Sequence, residues 1–327
     1  MKICLVTPAP AHSRKGNRVT ALRWARLLRE LGHRVTVAQR YDRQRCDLLV
    51  ALHAGRSADS VARFRADHPD RPLVVALTGT DLYGDIHTNA DARRSLELAA
   101  RLVVLQPLGV EGLPEHLRPK ARVIYQSVPT PAFRARRRDD VFEVCVLGHL
   151  RPVKDPFRTA QAARLLPPSS RVRVLHLGAA LSKDMARQAR AEEEANPRYR
   201  WLGERPRWQA LRVLARCRLL SLTSELEGGA NVISESLAVS VPVVGSRIAG
   251  SVGLLGEDYP GYFPFGDTEA LAALLRRSES DAIFYRELAA RCRRQRALFQ
   301  PARERQAWAR LVKELQPQVR SGRGGAW

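Results

Sequence analysis

Apolar runs of strand length alternate with amphipathic helical patterns along almost the whole chain, in two successive series. The predicted strands of the first series are 2–6, 34–38, 47–52, 73–77, 101–105 and 122–126. Those of the second series are 142–147, 171–177, 198–202, 218–223, 241–245 and 261–265. Strands that alternate with helices form parallel sheets covered by helices. The sequence therefore predicts an α/β fold of two doubly wound, Rossmann-like domains that face each other across a cleft.

A segment without hydrophobic periodicity separates the two series. Residues 129–140 contain prolines and a basic run, which is typical of a linker. A chain of 327 residues also exceeds the usual size of one hydrophobic core. We therefore expect an N-terminal domain at 1–130, a C-terminal domain at 141–300, and a final helix and tail at 301–327 that can cross back to the first domain. The end of that tail is expected to fray.

The formal net charge of +22 is the most conspicuous feature of the composition. A nucleic-acid binder would gather its basic residues on one patch, interleaved with aromatic residues. Here arginine is spread over most of the predicted helices, and only 6 of the 55 basic residues are lysine. The pattern favours a generally basic surface and a small anionic substrate, with no nucleic-acid partner.

The five cysteines are widely separated and form neither a C-x-x-C pair nor a Cys/His cluster with zinc spacing. We predict no disulfide, no metal site and no cofactor. The first apolar run is too short for a signal peptide, and no apolar run has the length of a membrane span. The sequence thus predicts a cytoplasmic protein without stable membrane insertion.

Residues 225–236 combine two carboxylates with a glycine pair, between an apolar strand and an apolar helical pattern. Glu227 and Glu235 are eight residues apart, so a helix carrying both would place them roughly on one face. Gly228 and Gly229, followed by Ala230 and Asn231, would let backbone N–H groups approach a ligand at the start of that helix. An anion site flanked by two acids suits a nucleotide sugar. The alternative is that both acids lie on a helix surface and pair with nearby arginines.

The second domain opens with a strand, then Gly148, and then two cations three residues apart, Arg151 and Lys154. Fixed cations just past a strand are well placed to neutralise a diphosphate leaving group without a metal ion.

The first strand leads into a basic loop and then a helix. The loop residues Arg14, Lys15, Gly16, Asn17 and Arg18 lack the G-x-G-x-x-G pattern of a dinucleotide fold, which disfavours a dehydrogenase. They are candidates to bind an anionic acceptor, or they form a solvated basic loop.

Thr80 and Asp81, which follow the strand at 73–77, are further acceptor candidates. The alternative is that Asp81 only caps the next helix.

These motifs together resemble the GT-B glycosyltransferases of family 4 over almost the whole chain. The resemblance rests on the loop at Gly16, the Leu-Thr-Gly-Thr-Asp run ending at Asp81, the block from Gly148 to Lys154, the pair Glu227 and Glu235, and Pro242 to Ser246. It implies that Arg151 and Lys154 hold the donor diphosphate, that Glu227 contacts the donor sugar and that Glu235 binds the ribose. The first domain would then take the acceptor and the second the nucleotide sugar.

More narrowly, the Thr-Pro-Ala-Pro-Ala loop, Leu-Thr-Gly-Thr-Asp-Leu-Tyr and Glu-Gly-Gly-Ala-Asn-Val-Ile-Ser-Glu resemble the selenosugar synthases of bacterial selenoneine biosynthesis. That resemblance implies transfer of glucose or N-acetylglucosamine from UDP-glucose or UDP-N-acetylglucosamine to selenophosphate, with formation of a carbon–selenium bond. Such an acceptor needs no general base, in keeping with the lack of a recognisable His/carboxylate dyad in the sequence. The alternatives are a glycosyltransferase for a small-molecule, lipid or polysaccharide hydroxyl, and a binding protein without turnover.

Overall fold

The computed structural model describes residues 1–13, 16–133 and 135–316, so Arg14, Lys15, Arg134 and the tail lie outside the described residues. Within these ranges the twelve predicted strands are confirmed, and their ends shift by no more than three residues. The strands are β1 (Lys2–Val6), β2 (Arg34–Ala38), β3 (Leu48–Leu52), β4 (Leu73–Ala76), β5 (Arg101–Val104), β6 (Ala121–Val123), β7 (Phe142–Leu147), β8 (Val172–Leu177), β9 (Tyr199–Gly203), β10 (Leu219–Leu222), β11 (Val243–Ser246) and β12 (Tyr262–Phe263).

The strands form two six-stranded sheets, in the orders β2-β1-β3-β4-β5-β6 and β12-β11-β10-β7-β8-β9. Neighbouring strands pair in parallel, from β1 with β2 to β8 with β9. The chain reverses its direction of travel between β1 and β3 in the first sheet and between β7 and β10 in the second. Ligands of such sheets bind outside the carboxyl ends of the strands at these reversal points. Below, the first half is the part built on β1–β6 and the second half the part built on β7–β12.

Helices cover both sheets, as the alternating pattern predicts. They are α1 (Gly16–Glu30), α2 (Ala58–Asp67), α3 (Ile86–Thr88), α4 (Ala90–Leu98), α5 (Leu108–Glu111), α6 (Arg158–Arg164), α7 (Lys183–Ala195), α8 (Arg207–Arg216), α9 (Asn231–Ala238), α10 (Ala249–Leu255), α11 (Thr268–Ser280), α12 (Ala282–Gln295) and α13 (Pro301–Glu314). A π-helical turn (Asp81–Asp85) and short 3-10 turns (Glu115–Lys120, Pro152–Lys154, Arg296–Phe299) join them. Among the described residues, no helix is long and apolar enough to cross a membrane.

The last helix, α13, packs on the first half although it follows the second half in the chain. Its Trp308 is fully buried against Trp24 of α1, with ring centroids 4.9 Å apart in an edge-to-face arrangement. The Glu304 carboxylate accepts hydrogen bonds from Trp24 Nε1 at 2.7 Å and from the backbone N–H of Ser127 at 2.8 Å. A buried carboxylate is stabilised when its oxygens are satisfied in this way. These contacts attach α13 to the helix that borders the cleft.

Candidate functional site

A cleft with a cavity of about 440 Å³ lies between the carboxyl ends of the two sheets. Its first-half wall includes the loops after β1, β3 and β4 and the start of α1, with the residues Pro8, Gly16, Asn17, His53, Arg56, Thr78 and Thr80. Its second-half wall consists of the loops after β7 and β10 and the start of α9, including Gly148, Arg151, Lys154, Glu227, Gly229 and Asn231. The cleft therefore brings together most of the residues that the sequence singled out.

Hydrogen bonds fix the start of the loop after β7, and two cations follow in the same loop. The backbone N–H of Gly148 donates to the Leu177 carbonyl at 2.9 Å, and His176 Nε2 donates to the Gly148 carbonyl at 3.2 Å. The 3-10 turn Pro152–Lys154 then positions Arg151 and Lys154 at the cavity. The Arg151 guanidinium makes no hydrogen bond or ion pair with any described residue. A rigid loop thus presents an unpaired cation to the cleft.

Lys154 and Glu227 form an ion pair across the second-half wall. The Glu227 carboxylate also accepts a hydrogen bond from Ser224 Oγ at 2.8 Å, and its side chain is only 12% exposed. Among the described residues, Glu227 is the one carboxylate that lines this cavity. Its position is therefore set by a cation and a hydroxyl before any ligand binds.

The expectation that one helix carries both Glu227 and Glu235 is wrong, because α9 begins only at Asn231. Glu227 lies in the turn before the helix, and Ala230, with φ −65° and ψ 105°, is the extended residue that precedes it. The two acids consequently face two adjoining cavities. The first turn of α9 still borders the first cavity through Asn231 and Val232, and a helix N-terminus favours an anion.

The glycine pair makes a close contact that the sequence analysis did not predict. A Cβ on Gly228 would lie 2.6 Å from Gly79 N, and a Cβ on Gly229 would lie 2.5 Å from Leu105 Cβ. Gly79 itself has φ +146°, which side-chain-bearing residues rarely adopt. The glycines therefore allow the two halves to touch, and Gly228 and Ala230 are not among the residues that line the cavities.

Glu235 lines a second cavity of about 440 Å³, which adjoins the first through Gly148, Asn231 and Val232. Burial raises the pKa of Glu235, whereas the guanidinium of Arg207, 2.8 Å from Glu235 Oε1, opposes that rise. Arg18, predicted on the acceptor side, lines this second cavity instead. Gly16 borders both cavities, and Asn17 borders the first.

Asn231 connects this site to the first half. Its Oδ1 accepts a hydrogen bond from Arg23 Nη1 of α1 at 3.3 Å, and Arg23 Nε lies 3.2 Å from Glu304 Oε1. A chain of contacts thus runs from α13 through α1 to the start of α9.

Asp81 does not face the cleft as an acceptor-binding group should. It is fully buried, and its carboxylate accepts hydrogen bonds from the backbone N–H groups of Ala54 at 3.0 Å, Thr78 at 2.9 Å and Gly79 at 2.8 Å. It stabilises the loop that contacts Gly228, whereas Thr80 lines the first cavity as expected.

The sequence analysis did not single out His53 and Arg56, which both line the first cavity. His53 Nδ1 lies 3.8 Å from Asp85 Oδ2 and 4.0 Å from Asp81 Oδ2, beyond hydrogen-bonding distance. His53 thus lies near two carboxylates without a hydrogen bond to either of them. The available signal was the position of His53 directly after the apolar run of β3.

The cysteines are all buried, and none of them is in a disulfide. Within residues 1–13, 16–133 and 135–316, no group of three or more His, Cys, Asp or Glu side chains could hold a metal ion.

Residues 130–297 match the family model described as "Glycosyl transferases group 1". Among solved structures, the chain resembles Anabaena Alr3699/HepE in complex with UDP and glucose, with 18% identity, a TM-score of 0.76, and coverage of 96% of this chain and 100% of that chain. It also resembles sucrose-phosphate synthase of Thermosynechococcus elongatus, with 16% identity, a TM-score of 0.75, and coverage of 96% and 98%. The pneumococcal O-GlcNAc transferase GtfA in complex with UDP and GlcNAc is similar at 16% identity and a TM-score of 0.63, with coverage of 82% and 56%. At these identities the structural likeness concerns the fold.

Proposed function

The chain belongs to the glycosyl transferases group 1 family and has a GT-B fold, and from this premise we propose that it transfers a sugar from a UDP-sugar bound along the second half of the cleft. The Anabaena neighbour holds UDP in a fold of the same kind, which supports uridine diphosphate as the carrier. UDP-glucose and UDP-N-acetylglucosamine are the donors that we propose.

The observation that carries this proposal is the unpaired guanidinium of Arg151 beside Lys154 and the first turn of α9. An unpaired arginine in a concave site is a ready partner for phosphate oxygens, because its planar fork matches their geometry. We expect the donor diphosphate to bind between Arg151, Lys154 and the α9 N-terminus.

Charge grows on the diphosphate as the bond between sugar C1 and oxygen breaks. Fixed cations and oriented backbone N–H groups accelerate the reaction if they stabilise this charge more in the transition state than in the bound substrate. The turn that carries both cations is fixed by a backbone hydrogen bond from Lys154 N to the Arg151 carbonyl, and the Lys154 side chain is placed by Glu227. Loss of one such cation is expected to cost roughly 2–4 kcal/mol of transition-state stabilisation, about 30- to 1000-fold in rate. We propose that these cations suffice without a divalent metal ion.

Glu227 and Glu235 then have separate roles in the same donor complex. The Glu227 carboxylate, beside Lys154, is placed to accept hydrogen bonds from sugar hydroxyls. Glu235, in the adjoining cavity and paired with Arg207, is placed to bind the ribose hydroxyls. Such hydrogen bonds to a partly buried carboxylate are stronger than those between neutral groups.

For the acceptor we propose selenophosphate, which the narrower sequence resemblance implies. Its selenium would attack C1 of the sugar, so that a carbon–selenium bond forms while the carbon–oxygen bond to UDP breaks. UDP leaves with the bonding electron pair, and the phosphoryl group remains on selenium in the initial product. The cationic lining of the first cavity supports an anionic acceptor of this size.

The test is incubation of the purified protein with UDP-glucose or UDP-N-acetylglucosamine, with and without selenophosphate, followed by anaerobic mass spectrometry. We expect UDP and a selenium-bearing sugar to form together and only with selenophosphate. Arg151→Gln should slow this turnover by about 30- to 1000-fold. Arg190→Gln, an exposed change on α7, should leave it unchanged.

If UDP is released only in the presence of a hydroxyl-bearing saccharide or lipid, the proposed donor site stands and selenophosphate is wrong as the acceptor. Absence of both UDP-sugar binding and turnover would overturn the proposed function.

A further inference from the structure

The loop after β3 lies at the reversal point of the first sheet, the position where doubly wound sheets bind ligands. His53 begins this loop with φ +73°, a left-handed conformation that is uncommon for a residue with a side chain. Its backbone N–H donates to the Ala76 carbonyl at 2.8 Å, and its carbonyl accepts from Ser57 N at 3.0 Å. Ser57 Oγ donates to the Leu52 carbonyl at 2.7 Å. The unusual conformation is therefore fixed by several hydrogen bonds, and it brings His53 and Arg56 to the cavity.

The hydrogen bonds of His53 define which ring nitrogen carries the proton. Nδ1 accepts a hydrogen bond from the backbone N–H of Arg56 at 3.3 Å, so the neutral ring carries its proton on Nε2. Nε2 lies 3.3 Å from Thr80 Oγ1. Asp81 and Asp85 lie on the opposite, Nδ1 edge of the ring. The imidazole therefore presents an N–H donor, and not a base, toward Thr80.

Arg56 supplies a positive charge beside this donor. Its guanidinium makes no hydrogen bond or ion pair within the described part of the chain. The two arginines of α2, the helix that follows, do have partners, since Arg65 Nη2 donates to the Leu98 carbonyl at 2.8 Å and Arg63 lies 3.7 Å from Asp42. In addition, Thr78 Oγ1, at the same cavity, is buried without a described hydrogen-bond partner. The first-half wall thus presents a cation, a ring N–H donor and two hydroxyl groups to the cavity.

The contact between the two halves places these hydrogen-bonding groups beside the wall at which we propose that the UDP-sugar binds. Gly79 packs against Gly228, Thr80 directly follows Gly79, and Glu227 directly precedes Gly228. A group bound at Thr80 is therefore close to a sugar bound at Glu227. Proximity of this kind is what a transfer reaction requires.

We propose that His53 Nε2–H, the Thr80 hydroxyl and the Arg56 guanidinium form the subsite for an oxyanionic group of the acceptor, of the phosphate class. This inference rests on the proposed function and assigns the acceptor site to residues other than the basic loop at 14–18. Charge supports it: the charged side chains described at the first cavity are Arg56, Arg151, Lys154 and Glu227. Lys154 is already paired with Glu227, and a donor diphosphate bound at Arg151 neutralises that guanidinium, which leaves Arg56 for a second anion.

The test is titration of inorganic phosphate into the UDP-saturated protein, with UDP affinity measured separately by calorimetry. The variants are Arg56→Gln, which removes an exposed side chain, Thr80→Val, and His53→Asn, since asparagine tolerates the left-handed conformation. Arg94→Gln, an exposed change on α4 outside the cavity, is the matched control. We expect phosphate to bind the UDP complex, and we expect Arg56→Gln to lower the phosphate affinity at least about tenfold. UDP affinity should be the same in all four variants.

Phosphate affinity that is unchanged in Arg56→Gln, or phosphate that fails to bind the UDP complex, would overturn the subsite while leaving the proposed function intact. A loss of UDP affinity in Arg56→Gln would assign Arg56 to the UDP-sugar site and would likewise overturn the proposed acceptor subsite. Failure of the unmodified protein to bind UDP would instead overturn the proposed function, and the subsite with it.

Discussion

Gly79 of the first half and Gly228 of the second half pack so closely that a Cβ on Gly228 would lie 2.6 Å from Gly79 N. Both residues belong to loops at the carboxyl ends of their sheets, and each is adjacent to a cleft residue, Thr80 or Glu227. The spacing between the two walls of the cleft is thus set by a contact that only glycine permits.

Gly228→Ala is expected to lower turnover, because the added methyl group must push the two loops apart. Displacements of this size between reacting groups can cost up to about 100-fold in rate. The measurement is kcat/KM for acceptor-dependent UDP release. Gly84→Ala is the matched control, since a Cβ on Gly84 would meet nothing within 4 Å. Equal activity of Gly228→Ala and the unmodified protein would show that the close contact does not matter for transfer.

Glu304→Gln is expected to destabilise the protein by roughly 2–4 kcal/mol, because the buried charge of Arg23 loses its partner. Trp24 Nε1 and the Ser127 N–H also donate to this carboxylate, and one amide oxygen cannot satisfy all three groups. The measurement is the free energy of unfolding in urea. Glu314→Gln on the same helix is the control.

Glu314 pairs with Arg101 and Arg122 at the surface, with its side chain 30% exposed. Surface pairs contribute about 1 kcal/mol or less, so Glu314→Gln should have a small effect. A loss of stability in Glu304→Gln no larger than in Glu314→Gln would mean that α13 is not held by the buried carboxylate.

His176 is expected to make stability depend on pH between about 6.5 and 4. Burial lowers the pKa of His176 to about 4 from the ordinary value of 6.5, against the opposing hydrogen bond to the Gly148 carbonyl. In this window the unfolded chain binds more protons than the folded protein, so stability falls as the pH falls. The loss is roughly 3 kcal/mol once the pH is below 4.

The measurement is urea unfolding at several pH values between 7 and 4. His176→Gln should show a shallower decline, because glutamine can keep both hydrogen bonds without titrating. His116→Gln, an exposed change, should follow the unmodified protein. Parallel curves for His176→Gln and the unmodified protein would rule out His176 as the cause of the decline.

The sequence was sufficient for the fold because buried parallel strands are continuous apolar runs. The strand β7, for example, was predicted at its observed bounds. The positions of Arg151 and Lys154 at the cleft followed from the same pattern, since loops after such strands meet at one edge of the sheet.

The sequence was insufficient wherever a residue is set by a contact between the two halves. Nothing local distinguishes a glycine that approaches a ligand from one that approaches another loop, so the contact between Gly228 and Gly79 was not predicted. Asp81 looked like a polar group at a strand end, but backbone N–H groups from two different loops surround its carboxylate. His53 was missed because its orientation depends on a left-handed backbone conformation that the apolar run does not reveal.

The most direct test of the account is calorimetric titration of UDP into the unmodified protein, Arg151→Gln and Arg190→Gln. We predict that UDP binds the unmodified protein and Arg190→Gln equally, and that it binds Arg151→Gln roughly 10- to 100-fold more weakly, as expected for loss of a charge-assisted hydrogen bond. Equal UDP affinity in Arg151→Gln and Arg190→Gln, or no UDP binding at all, would contradict a donor diphosphate site at Arg151.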